Sequence, residues 1–243
     1  MTINIKDIEV NYIQYGKGSD IILLHGWGQN IEMMKPLGDK IENDYRITIV
    51  DFPGYGKSME PKTEWTIYDY CEVVEEIVKH LKIKNPIVMG HSFGGRVAII
   101  YASRNITKKL VLFGTPCIRK EEKLNVKVKL LKTLKKVPVL KNFEEFAKRH
   151  LGSNDYRNAT PMMRKILVNT VNEDLSQCAK KIKCPTLLIW GDRDEAVSLD
   201  EARELEKLIM DSGLVVYDGG SHYTYLEFIN PIMGVLKSFF KEE

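Results

Sequence analysis

No apolar run in the 243 residues approaches the roughly 20 needed to cross a bilayer. The opening Met1-Thr2-Ile3-Asn4-Ile5-Lys6-Asp7 has no basic stretch leading into an apolar core, so it does not read as a secretory signal. Only four cysteines occur, Cys71, Cys117, Cys178 and Cys184, with no C-x-x-C pair and no spacing suited to zinc. A chain of this length needs no disulfide framework, and the expected location is the reducing cytoplasm. Neither internal repeats nor a Gly/Ser linker are present. An excess of one charge is missing too: 36 Lys+Arg face 33 Asp+Glu, a formal net of +3, which speaks against a dedicated nucleic-acid binder. What remains is 44% apolar and 28% charged, an ordinary globular composition large enough for one domain with an insertion.

Short runs rich in Ile, Val and Leu alternate with amphipathic stretches. Strands are expected at Val10 to Tyr15, Asp20 to Leu24, Tyr45 to Val50, Pro86 to Met89, Lys109 to Phe113, Pro185 to Trp190 and Leu214 to Tyr217. Their unbroken apolar character suits strands buried on both faces of a parallel sheet. Helices are expected at Thr66 to Leu81, Arg96 to Ser103, Asp200 to Met210 and Pro231 to Phe240. In the first of these, Ile67, Tyr70, Val73, Val74, Ile77, Val78 and Leu81 recur every three or four positions and form one face. The alternation predicts an open, mostly parallel α/β sheet, in which ligands bind at the carboxyl ends of the strands.

The motifs fall where that rule places a site. Gly90-His91-Ser92-Phe93-Gly94-Gly95 follows a strand and opens a helix. G-x-S-x-G in that context is a nucleophile elbow: the tight turn strains the serine backbone, and side chains two residues either side would collide with the neighbouring strand and helix. Ser92 is the candidate nucleophile, at a helix N-terminus that favours a developing anion. Serine needs a base, and histidine titrates in the right range. Of five histidines, His222 in Asp218-Gly219-Gly220-Ser221-His222 lies on a Gly-rich loop after the last strand and is the best candidate. His91 should point away from the nucleophile, His25 belongs to another motif, and His80 and His150 read as surface residues. A carboxylate must fix the tautomer of the base. In Gly191-Asp192-Arg193-Asp194 either aspartate could serve, but Asp192 suits a turn-holding role, which favours Asp194. Two N–H donors must face the oxyanion. One is expected from Phe93, the other from Trp27 in His25-Gly26-Trp27-Gly28.

With HGWG at 25–28, DFPGYGKS at 51–58, GHSFGG at 90–95, WGDRD at 190–194 and GGSH at 219–222, the sequence resembles the α/β-hydrolase superfamily. The resemblance implies an eight-stranded sheet with only the second strand antiparallel, a cap inserted after the sixth strand, and Ser92, Asp194 and His222 as triad with Trp27 and Phe93 as oxyanion donors. It also implies that DFPGYGKS is a structural loop beside the site. HGWGQN and DFPGYGKS look like the pimeloyl-acyl-carrier-protein methyl ester esterases, which usually carry Trp where His91 stands. The carbon–carbon hydrolases of aromatic degradation are also similar, but favour Trp where Tyr223 stands.

Between Cys117 and Lys183 no buried strand is evident, and helices are expected at Lys123 to Lys136, Asn142 to His150 and Pro161 to Val171. This stretch reads as a helical cap (117–183) on a core of 1–116 and 184–243. It holds 17 Lys+Arg and 7 Asp+Glu, a local net of +10, which leaves −7 for the core. Its lysine-rich amphipathic helix is explained by a solvated face over an apolar stripe. The same charge would also suit an anionic substrate, an acidic carrier protein or, less favoured, peripheral contact with an anionic membrane. Phe143, Phe146, Met162, Met163 and Leu167 are candidates for an apolar acyl pocket. The expected activity is ester cleavage through an acyl-enzyme, with neither metal nor organic cofactor. The rivals are carbon–carbon bond hydrolysis or lyase chemistry with the same triad, and a binding module with a vestigial triad.

Overall fold

The computed structural model describes residues 1–119 and 159–241. Eight strands among them form one sheet: β1 (Thr2–Ile5), β2 (Ile8–Gly16), β3 (Ser19–Leu24), β4 (Tyr45–Val50), β5 (Ile87–His91), β6 (Lys109–Phe113), β7 (Thr186–Gly191) and β8 (Ser212–Tyr217), in the order β1-β2-β4-β3-β5-β6-β7-β8. β2 runs antiparallel to β1 and β4, and every other pairing is parallel. The helices are α1 (Ile31–Asp39), α2 (Ile67–His80), α3 (Phe93–Arg104), α4 (Pro161–Val171), α5 (Ser176–Ala179), α6 (Leu199–Leu208), α7 (Thr224–Glu227) and α8 (Ile229–Phe240). None of the described helices is long and apolar enough to cross a membrane.

Side-chain alternation builds a core on each face of the sheet. Ile22, Leu24, Val88, Leu110, Leu112 and Leu188 pack with buried residues of α2, α3 and α6. Their neighbours Ile21, Leu23, Ile87, Met89, Val111 and Ile189 pack with α1 and α8 on the other face. Both faces are covered, which is why the strands read as unbroken apolar runs. Thr66 starts α2 in a capping box, its N–H donating to Asp69 Oδ2 at 2.8 Å, and Ser198 starts α6 the same way through Glu201 Oε2 at 2.8 Å.

Four described elements are not among those expected: β1, α1 and the one-turn helices α5 and α7. β1 precedes the anticipated first strand; it buries only Ile5, so its sequence carries little apolar signal. Its turn to β2 uses Lys6 and Asp7 at φ 52° and 59°, a two-residue hairpin whose twist matches its strands. α1 contains Pro36 and Gly38, both poor helix formers; Asn30 caps it, Oδ1 accepting from Glu32 N at 3.0 Å, and Ile31, Met34 and Leu37 bury one face.

The chain on either side of residues 120–158 is tied together at a neck near Cys117. Leu175 N donates to Cys117 O at 2.9 Å and Arg119 N to Asp174 Oδ2 at 2.8 Å. α4 occupies the expected span. The helices expected at Lys123 to Lys136 and Asn142 to His150, with Phe143 and Phe146, lie outside the described residues. Arg96, on α3, anchors this neck. Its buried guanidinium donates through Nη1 to Pro116 O at 3.0 Å and through Nη2 to Thr170 O at 2.9 Å and Glu173 O at 2.7 Å. Burial lowers its pKa, while carbonyls at the C-terminal end of α4 supply the opposing partial charge. Replacing Arg96 with Met would leave those carbonyls without their donors. Urea unfolding is expected to show a loss of about 3 kcal/mol; a midpoint equal to wild type would contradict the anchoring role.

Candidate active site

Ser92 is the one residue between the end of β5 and the start of α3. Its backbone sits at φ 50°, ψ −112°, a region that costs a non-glycine residue about 1–3 kcal/mol and must be held by its surroundings. A Cβ on Gly90 would stand 2.5 Å from Gly94 O, and one on Gly94 would stand 2.3 Å from Leu24 O. The bare glycines therefore let α3 start directly against the end of β3. Ser92 N donates to Phe113 O at 2.9 Å, tying the turn to β6.

Beyond β7 the two aspartates separate. Asp192 Oδ1 accepts from Gly219 N at 2.7 Å and holds the turn. Asp194 is buried; its Oδ1 accepts from Ala196 N and Val197 N, both at 2.8 Å, and its Oδ2 lies 2.8 Å from His222 Nδ1. A carboxylate only accepts, so Nδ1 carries the proton and the Nε2 lone pair of the neutral ring remains available. The Asp194 side chain is 1% exposed and that of His222 17%, so the carboxylate is dry while the imidazole remains reachable. Gly114, next after Phe113, lies directly under this pair. It has φ +48°, and a Cβ there would stand 2.9 Å from His222 Nδ1 and 3.0 Å from Asp194 Oδ2. Neighbouring residues at the end of β6 thus hold the Ser92 amide and seat the His–Asp pair. Ser92 Oγ makes no hydrogen bond to His222 in this structure; such contacts commonly tighten only when substrate is bound.

The HGWG loop follows β3. His25 is fully buried, its Nε2 accepting from Phe52 N at 3.0 Å and its Nδ1–H donating to Gly26 O at 2.7 Å; burial lowers its pKa to about 4. Asp51 holds the next loop, accepting from Ile31 N at 2.7 Å, Asn11 Nδ2 at 2.8 Å and Lys57 N at 2.9 Å. Trp27 N and Phe93 N donate to no described residue, which leaves two amides free near the elbow. The Trp27 ring meets Tyr55 and Phe93 edge to face, each at 5.3 Å between centroids.

Of the pocket candidates, Met163 and Leu167 are buried on α4, with Met163 Sδ against Gly54, and Met162 lies at the margin of the core. Met163 shares a core cluster with Phe93, the neighbour of Ser92. His80 is exposed at the end of α2, and His150 lies outside the described residues. Sequence reasoning missed Gly114, although a glycine directly after a parallel strand was a visible signal. It also missed the buried side chain of His91, whose ring packs against His222 at 4.7 Å. Among the described residues no group of three or more His, Cys, Asp or Glu side chains could hold a metal ion.

Two predictions arise from this geometry. Gly114→Ala pushes a methyl group into the His222–Asp194 pair, so kcat on any substrate of the site should fall by about 10- to 100-fold while thermal unfolding shifts only a few degrees. An unchanged kcat would sever Gly114 from the pair. The second concerns His25 and His91, whose buried rings have pKa values lowered to about 4 and about 3, mainly by burial. Unfolding frees both to bind protons near their ordinary value of about 6.5, so the unfolded state binds more protons below that pH. Their contribution to stability is complete above about pH 6.5 and is lost as pH falls toward the native values. Urea midpoints should drop from about pH 7 to about pH 5, with neither ring titrating by NMR over that range.

Residues 21–125 match the family described as alpha/beta hydrolase fold. The AB hydrolase superfamily protein YisY of Bacillus subtilis (strain 168) is 26% identical over 258 residues, covering 92% of each chain. A pimeloyl-[acyl-carrier protein] methyl ester esterase of Aliivibrio fischeri (strain MJ11) is 22% identical over 250 residues, covering 93% of this chain and 95% of that one. The esterase EaEST of Exiguobacterium antarcticum superposes with a TM-score of 0.78 at 24% identity over 99% of both chains. Sheet order, the strand–Ser92–helix turn and these similarities agree, and the chain is a protein of the α/β-hydrolase fold.

Proposed function

We propose that the protein is a serine hydrolase that cleaves a carboxylic ester, with Ser92 as nucleophile, His222 as general base and Asp194 as its orienting carboxylate. The observation that carries this reading is the 2.8 Å contact between Asp194 Oδ2 and His222 Nδ1, seated on the strand end that holds the Ser92 amide. Ser92 Oγ attacks the ester carbonyl and its proton passes to His222 Nε2. Asp194, with its other oxygen fixed by two amides, stabilises the imidazolium without taking the proton. The oxyanion accepts from Trp27 N–H and Phe93 N–H at the positive end of α3. His222 returns the proton to the leaving alcohol, then takes one from the water that attacks the acyl-enzyme, and Ser92 is regenerated.

Similarity to a pimeloyl-[acyl-carrier protein] methyl ester esterase supports an ester as substrate. The local net charge of +10 over residues 117–183, read as a cap on the core, supports an anionic acyl group or one delivered on an acidic carrier. An ester panel varied in acyl length and charge, including an ester on an acidic carrier, tests both points. Ser92→Ala should lower kcat by about 10⁴-fold or more and abolish labelling by a fluorophosphonate. Turnover of the carrier-linked ester should fall with added salt more steeply than that of a neutral ester. Wild-type activity in Ser92→Ala would sink the assignment. Turnover of a vinylogous diketone far above every ester would move it to carbon–carbon cleavage, and an unlabelled Ser92 would leave a binding protein.

A further inference from the structure

His91 precedes the nucleophile and has no role in the chemistry above, yet it is a fully buried titratable side chain at the meeting point of three loops. Its Nε2 lies 3.0 Å from the main-chain oxygen of His222. Its Nδ1 lies 3.3 Å from Gln29 Oε1, and that same oxygen accepts from Gly26 N at 2.9 Å in the HGWG loop. The ring stacks obliquely on the rings of His222 and Tyr225, each at 4.7 Å between centroids. The HGWG loop lies directly against it, since a Cβ on Gly26 would stand 2.8 Å from His91 Nδ1.

Both oxygens facing the ring are acceptors, and a neutral imidazole has one N–H to give. Only an imidazolium would satisfy both, and burial together with the neighbouring His222 disfavours that cation. The shorter contact, to His222 O, therefore takes the proton. That bond fixes the height of the loop carrying the base, and the ring underneath fixes its tilt.

We propose that His91 is a positioning residue for the reaction, its Nε2–H holding the main chain of His222 while its ring braces the HGWG loop, so that elbow, base and oxyanion amide are set by one side chain. The proposal rests on the serine-hydrolase reading and adds a residue to it.

Two measurements test it. In the wild-type protein, ¹⁵N NMR of the histidine rings should show His91 neutral and protonated at Nε2. Protonation at Nδ1, or a cation at neutral pH, would overturn the proposal. Kinetics are compared for His91→Gln, which can still donate to the His222 carbonyl, and His91→Leu, which cannot. With active sites counted by fluorophosphonate titration, kcat of the Leu variant on the best ester of the panel should fall by about 10- to 100-fold with KM within about twofold. The Gln variant should recover most of that loss. Equal kcat per active site in the Leu variant and wild type would overturn the proposal while leaving the hydrolase reading intact. So would Gln and Leu variants that are equally impaired. If His91→Leu does not fold, the NMR tautomer and the Gln variant, expected within about tenfold of wild type, still decide. A wild-type protein that neither labels nor turns over esters would remove both the proposal and the reading beneath it.

Discussion

The contact on which the site depends is the first turn of α3 against the end of β3. α3 is buried from Phe93 to Ala102, so it is a core helix without a solvent face in its first turns. Such a helix can start directly from β5 only if nothing projects where it meets its neighbour, which is why Gly94 lies beneath the carbonyls of Leu24 and His25. With that approach fixed, Ser92 has no room for an ordinary turn and takes its positive φ. The Ser92 amide reaches Phe113 O; one residue further, Gly114 receives His222 and Asp194. One turn along the helix, Arg96 reaches the neck of the 117–183 stretch. Serine, His–Asp pair and neck are thus all referenced to one helix start.

Charge is handled differently at each depth. The interior histidines, His25 and His91, are held neutral and serve as hydrogen-bonding groups of fixed direction. Asp51 and Asp194 are buried and keep their oxygens occupied by donors, chiefly backbone amides, so neither charge is left without partners. His222 alone of this group keeps partial access to solvent, beside a dry carboxylate. Arg96 is the converse of the aspartates, a buried cation whose terminal nitrogens donate to carbonyl oxygens while its Nε has no partner among the described residues.

Much of this was legible in the sequence because the elements nearest the site are those whose burial is most complete. The central strands carry unbroken apolar runs, and the loops after them are short, so HGWG, GHSFGG, GDRD and GGSH could be placed at strand ends from spacing alone. Asp192 and Asp194 could be told apart because a turn needs its Asx residue at the first position. β1 was not legible, since an edge strand that buries only Ile5 has no periodicity to detect. α1 was hidden by Pro36 and Gly38, whose unfavourable propensity is outweighed by the burial of Ile31, Met34 and Leu37. His91 and Gly114 were illegible as site residues for another reason. Their significance lies in what approaches them from distant loops, and pairings such as His91 with His222 O cross 131 positions of sequence.

The division of charge follows the same logic of depth. Inside the core, electrostatics act through contacts below about 3 Å, and a displaced oxygen matters more than net charge. The +10 of the 117–183 stretch is of another kind, since a net charge acts over a longer range, screened over about 10 Å at moderate salt. A field of that range cannot set the geometry of Ser92 or His222. It can raise the local concentration of an anionic partner and turn it toward the site. The short, dry contacts at the helix start and the net charge of residues 117–183 therefore act over different distances. Arg96, one helical turn beyond Ser92, meets the neck through three carbonyl oxygens, a short-range contact of the first kind.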